Sequence, residues 1–142
     1  MRRLIYLLPL LLLFAAGCFN NKSSEPTPDP SGKFSGEFRR LDRITGTSKF
    51  DTVKATVEVY IEPGVGYHVL GDTSVVHAGS KGHYGISGNG IRFVDSTYPA
   101  NGNPTKNHLN GDYLFDYNGS VFRMIRSTGD TLSLQYDLKK VN

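Results

Sequence analysis

The sequence predicts an all-β domain, an antiparallel up-and-down barrel or strongly coiled sheet of about eight strands, with a β-sandwich as the alternative. Three observations predict it. Val53, Ala55, Val57, Val59 and Ile61 alternate with Thr52, Lys54, Thr56, Glu58, Tyr60 and Glu62, the period of two that sets apolar side chains on one face of an extended strand. Near the end of the chain, Leu132, Leu134, Tyr136 and Leu138 alternate with Ser133, Gln135, Asp137 and Lys139 in the same way. Asn89-Gly90, Asn118-Gly119 and the stretch 127–130 supply short turns, with Gly free to take the positive φ of tight hairpins. No segment after residue 33 carries an amphipathic helical pattern. A sheet with one apolar face and no helix to cover it must curl onto itself or stack on a second sheet. Short sequential hairpins favour curling, because Greek-key sandwiches need long crossovers.

The chain opens with Arg2 and Arg3, continues as a leucine-rich apolar run over residues 4–14, and passes through Ala15-Ala16-Gly17 to Cys18, the single cysteine of the sequence. A positive start, an apolar stretch and small residues before a cut are the layout of an export signal. This layout resembles the signal of bacterial lipoproteins. The resemblance implies cleavage before Cys18, attachment of a thioether-linked diacylglycerol to its sulfur, and acylation of the new amino terminus. Two alternatives stand beside it. A membrane-spanning helix needs about 20 apolar residues, more than this run offers. Ordinary secretion is allowed by Ala15 and Gly17, but would leave Cys18 as a lone exposed thiol in an oxidising compartment, which favours lipidation.

Residues 18–32 read as a tether. The composition turns to Asn, Ser, Lys and Pro, with Pro26, Pro28 and Pro30 at every second position, too little apolar surface to offset ordering entropy. At about 3.1 Å per residue for extended Pro-rich chain, it would hold a domain up to roughly 40 Å from a bilayer. In the resembled family an Asp directly after the cysteine favours retention at the inner membrane. Phe19 occupies that place here, which implies an outer-membrane anchor. Loss of residues 1–17 removes Arg2 and Arg3 and no acidic side chain, lowering the formal charge from +3 to +1. The basic balance of the whole chain is thus partly a property of the signal, and gives no case for nucleic acid.

Residues 33–142 suit one domain. With no second cysteine, a disulfide is excluded and the domain must stand on its core. Phe34, Gly36 and Phe38 form a first alternating strand, 52–62 the second, and shorter strands are expected at 67–70, 74–78, 83–86, 91–94, 113–117 and 120–126, with 132–138 closing a final meander. The opening Gly32-Lys33-Phe34-Ser35-Gly36-Glu37-Phe38 is similar to the glycine-aromatic first strand of short lipocalin-like domains on bacterial lipoproteins. That resemblance implies a barrel able to hold a small ligand.

Residues suited to chemistry are few. His68 and His77 fall in expected strands, His83 at a strand edge and His108 in a loop, and no pair has zinc-site spacing, so solvated or hydrogen-bonded surface roles are expected for the histidines and no metal or cofactor. Glu58, Glu62, Asp116 and Asp137 alternate with apolar residues and should face solvent, not converge as an acid-base pair. Gly64-Val65-Gly66 lacks the helix that would make a phosphate cradle. No catalytic residue is identified and no enzyme is expected. The loop over 95–112, rich in Asn, is the one irregular stretch long enough to suggest recognition.

Two roles lead, with catalysis a distant third. In the first, the domain is a structural or interaction module that holds an envelope protein through a sheet face or edge. In the alternative it is a lipocalin-like binding module for a small apolar ligand or glycan, and Phe34, Phe38 and Tyr113 are the aromatic side chains expected to line its open interior. A barrel filled solid would favour the first, since eight strands enclose a space only just wide enough for side chains.

Overall fold

The computed structural model describes residues 28–142. Eight strands, β1 (Gly32–Arg43), β2 (Phe50–Glu62), β3 (Gly66–Gly71), β4 (Lys81–Ser87), β5 (Gly90–Asp95), β6 (Gly111–Tyr117), β7 (Val121–Thr128) and β8 (Leu132–Val141), follow one another around a closed barrel. Every pairing is antiparallel, and β8 returns to β1 to seal the sheet. The up-and-down barrel expected from the period-two segments is the architecture observed; the sandwich is not.

Alternation sets the interior. Phe34 and Phe38 from β1, Ala55, Val57, Val59 and Ile61 from β2, and Leu134, Tyr136 and Leu138 from β8 are buried, all at positions of one parity along their strands, as the pleat requires. Edge-to-face and tilted aromatic contacts knit them together. Phe34 lies 5.6 Å from Tyr117 and 5.1 Å from Phe122, while Phe38 lies 4.9 Å from Tyr136. Val53 continues the inward parity but is exposed, because it lies where β2 runs past the packed interior toward the barrel mouth.

Two glycines let the sheet bend. A Cβ on Gly36 would collide with the Asp137 carbonyl oxygen, and one on Gly82 with that of Val94. Both positions point inward, on β1 and β4, where neighbouring backbone closes in, and only a residue without a side chain fits such corners.

The expected strand at 74–78 does not form. Val75 and Val76 are adjacent, not alternating, so no register could bury both; Val75 is exposed. β3 and β4 pair at only two positions, Tyr67↔Gly82 and His68↔Lys81, and residues 72–80 instead cross the barrel mouth as a loop. That loop meets the 96–110 loop through a parallel bridge between His77 and Asn107, sealed by Ala78 N donating to Asn107 O at 2.8 Å and Asn107 N to Val76 O at 2.9 Å. All four connections at this end (44–49, 72–80, 96–110, 129–131) lie opposite the end where residue 32 enters β1. At the entry end Pro30 is buried.

Candidate functional site

The loop-bearing end is built around Asp95, the last residue of β5 and buried by its inward parity. Its Oδ1 accepts from Thr97 N at 2.8 Å, Thr97 Oγ1 at 2.6 Å and Lys81 N at 3.3 Å. Its Oδ2 lies 2.6 Å from His108 Nδ1, and its own amide donates to Asn110 Oδ1 at 3.1 Å. One residue therefore pins both ends of the 96–110 loop to the start of β4. Burial alone would raise the Asp95 carboxyl, but hydrogen bonds from Thr97, His108 and Lys81 outweigh it and hold the pKa below its usual value. Tyr98 meets the His108 ring edge-on at 5.2 Å, so the imidazole is fixed on two sides.

Below this, Leu109 is fully buried, held by its amide donating to Ser80 Oγ at 3.0 Å and by the Tyr67 hydroxyl donating to its carbonyl. His77 is also fully buried, not a surface group in a strand as expected from sequence. The loop that carries it turns inward over the mouth, and Phe38 takes the ring edge-on at 4.9 Å.

Beside the loops opens a cleft of about 270 Å³, lined by Arg40, Lys106, Asn107, His108, Asn110 and Arg126, with Tyr98, Leu132 and Leu134 among its apolar walls. Arg40 and Arg126 are inward-facing members of β1 and β7, and both pair with Leu134 of β8, Arg40↔Leu134 on one side and Arg126↔Leu134 on the other. The two arginines thus occupy one row of the sheet, two strands apart, about 10 Å at the usual strand spacing. Arg40 is paired with Asp42, Nε to Oδ2 at 2.7 Å. Lys106 donates to Thr73 O at 2.8 Å, and Arg126 Nη1 donates to Asn110 O at 2.6 Å. Among the described residues no carboxylate lies within ion-pair distance of Lys106 or Arg126. The Arg126 guanidinium lies over Gly111, where a Cβ would come within 2.5 Å of Nη1.

Of the residues singled out from sequence, Phe34 and Phe38 are fully buried in the aromatic core. Tyr113 is buried too, 5.7 Å from Tyr136, and contributes to the wall of an open groove lined by β4, β5, β6 and β7 that also reaches Arg126. Cys18 lies outside the described residues. Sequence reasoning missed Arg40, Arg126 and the Asp95–His108 pair. The arginines could have been found by extending parity, since Phe34, Gly36, Phe38, Arg40 and Phe122, Met124, Arg126 are unbroken period-two series. The Asp95–His108 contact spans a loop and carries no periodic signal. Among the described residues no three groups of metal-ligand type converge.

Comparison with known families, with curated proteins and with solved structures gave no match to this chain.

Proposed function

We propose that this chain is an interaction module of the cell envelope, anchored to the outer membrane by lipid on Cys18, in which the barrel is a solid scaffold and recognition takes place on its surface. The observation that carries the scaffold half is the filled interior: Phe34 packs on Phe122 and Phe38 on Tyr136, and all four rings are buried. An internal apolar ligand would have to displace them, at a cost of several kcal/mol. The anchor half rests on the sequence of residues 1–18. Strand topology puts the longer loops at the end away from residue 32, so the face built for contact points away from the tether.

Detergent phase separation of cell envelopes tests the anchor. Wild type enters the detergent phase, and Cys18→Ser moves to the aqueous phase, because a single acyl chain holds only marginally and two or more hold firmly. Wild type in the aqueous phase overturns the anchor. Native mass spectrometry of the detergent-solubilised chain tests the scaffold. A small apolar molecule that copurifies with wild type and is lost in a folded Phe34→Ala variant overturns it in favour of a lipocalin-like cup.

A further inference from the structure

We infer that the cleft between the 96–110 loop and the inner faces of β1, β7 and β8 binds a small organic anion, a carboxylate or phosphate group carried on a body about the size of a single sugar. Inward positions of a barrel ordinarily collect apolar side chains and arginine stays outside, yet here strand parity turns Arg40 and Arg126 inward in the same sheet row on either side of Leu134. Lys106 approaches from the loop, tied at its tip to Thr73 O. Among the described residues, three permanent cations line a space that no carboxylate lines, and of the three only Arg40 has a carboxylate partner, Asp42. Two positive charges are therefore left over in one concavity.

The geometry is prepared for a ligand as well as charged. Gly111 removes the side chain that would collide with the Arg126 guanidinium, and the Asn110 carbonyl fixes one of its nitrogens. Arg126 also bears on the buried Tyr113 hydroxyl, and a guanidinium has donors beyond these two contacts to offer a planar, bidentate acceptor. Asp95 occupies His108 Nδ1, which leaves Nε2 as the remaining polar atom of that cleft-lining ring. Tyr98 and Leu134 supply apolar surface for the body of the ligand, and Asn107 supplies an amide suited to hydroxyl groups. At about 270 Å³ the cleft is below the usual range for drug-sized ligands, which sets the ligand class at one small ring or its equivalent.

This inference rests on the scaffold reading only in placing recognition at the rim; an empty cleft would leave the anchor and the filled interior untouched. The test is thermal melting and calorimetry of the detergent-solubilised full chain with inorganic phosphate, glucuronate and glucose as separate probes at millimolar concentration. Phosphate or glucuronate should bind saturably and raise Tm, weaken with added salt, and exceed glucose, which carries no charge. Binding of phosphate alone identifies a phosphoryl group as the recognised chemistry, and binding of glucuronate a carboxylate; either supports the site. Arg126→Gln and, independently, Lys106→Gln should each weaken the bound anion about tenfold, the loss of one charge-assisted hydrogen bond. Arg92→Gln, on the outer face, should leave binding unchanged. No saturable binding of either anion, equal binding of glucose, or the same loss in Arg92→Gln as in Arg126→Gln overturns the inference.

Discussion

His77 Nε2 and the Tyr136 hydroxyl lie 2.8 Å apart inside the barrel, and the other ring nitrogen decides which of them donates. Nδ1 is 2.6 Å from the Ala78 carbonyl oxygen, which can only accept, so Nδ1 carries the proton and Nε2 accepts from Tyr136. A neutral imidazole satisfies both partners. A doubly protonated one would set its new N–H against a hydroxyl now required to turn away.

Burial accordingly lowers the His77 pKa to about 4, with the nearby His108 pressing in the same direction and the Ala78 carbonyl and Asp95 opposing. Because the folded pKa is below the ordinary value near 6.5, the unfolded chain binds the extra proton first and stability rises with pH across this window. It should fall as pH drops from about 6.5 toward 4, by on the order of 3 kcal/mol at about 1.4 kcal/mol per unit, then level off for this group. Chemical denaturation at stepped pH values should show that slope in wild type and its loss in His77→Gln. Asp95, whose carboxyl is held below its usual value, adds a separate loss of stability at still lower pH, as its folded form becomes protonated.

The sheet register makes a paired prediction. Val57→Asp places an unpaired charge in the core and should prevent folding, whereas Thr56→Asp, on the outer face of the same strand, should change stability by less than about 0.5 kcal/mol. Circular dichroism melting of the two variants checks it. Equal melting temperatures would contradict the register.

Core truncation should be costly. Phe34 contacts Tyr117 and Phe122 and is fully buried, so Phe34→Ala should lose roughly 3 to 5 kcal/mol in urea unfolding. Gly36→Val should do more than destabilise, because its side chain would meet the Asp137 carbonyl and Leu138 backbone and hold β1 away from β8. Loss of cooperative unfolding is the expected readout.

At the mouth, Asp95→Ala removes the acceptor for Thr97, Lys81 and His108 at once. Leaving these buried donors without an acceptor should cost roughly 3 kcal/mol and release the 96–110 loop. Proteolysis should then cut within 96–110 at a rate that wild type does not show.

The strands were legible where their side chains answer to a single rule. From Ala55 to Ile61 and from Leu134 to Leu138, side chains alternate in and out as the pleat dictates. The rule fails where burial is decided by a loop. Val75 and Val76 have strand-forming side chains, yet the two-residue pairing of β3 with β4 ends the ladder before them, and His77 is drawn inside by a bridge to Asn107 that no local pattern announces. The cleft was legible in half: parity alone turns Arg40 and Arg126 inward, but that Lys106 and His108 arrive beside them depends on how a long loop crosses the mouth. The alternative of an open cup has Phe34, Phe38 and Tyr113 lining it; in the structure these rings are buried against others, Phe34 on Phe122 and both Phe38 and Tyr113 on Tyr136.

Seven of the eight strand pairings join strands consecutive in sequence, and the eighth joins the first and last strands, β1 and β8, over ten residue pairs. Each hairpin can form after closing a loop of at most 15 residues, but the barrel gains its sealed interior only when a segment of about a hundred residues has been brought end to end, an entropic cost that grows slowly with length yet must be met before those contacts form. Refolding should therefore be limited by this last zipper, with β1 and β8 joining late and the hairpin of β7 and β8 already in place.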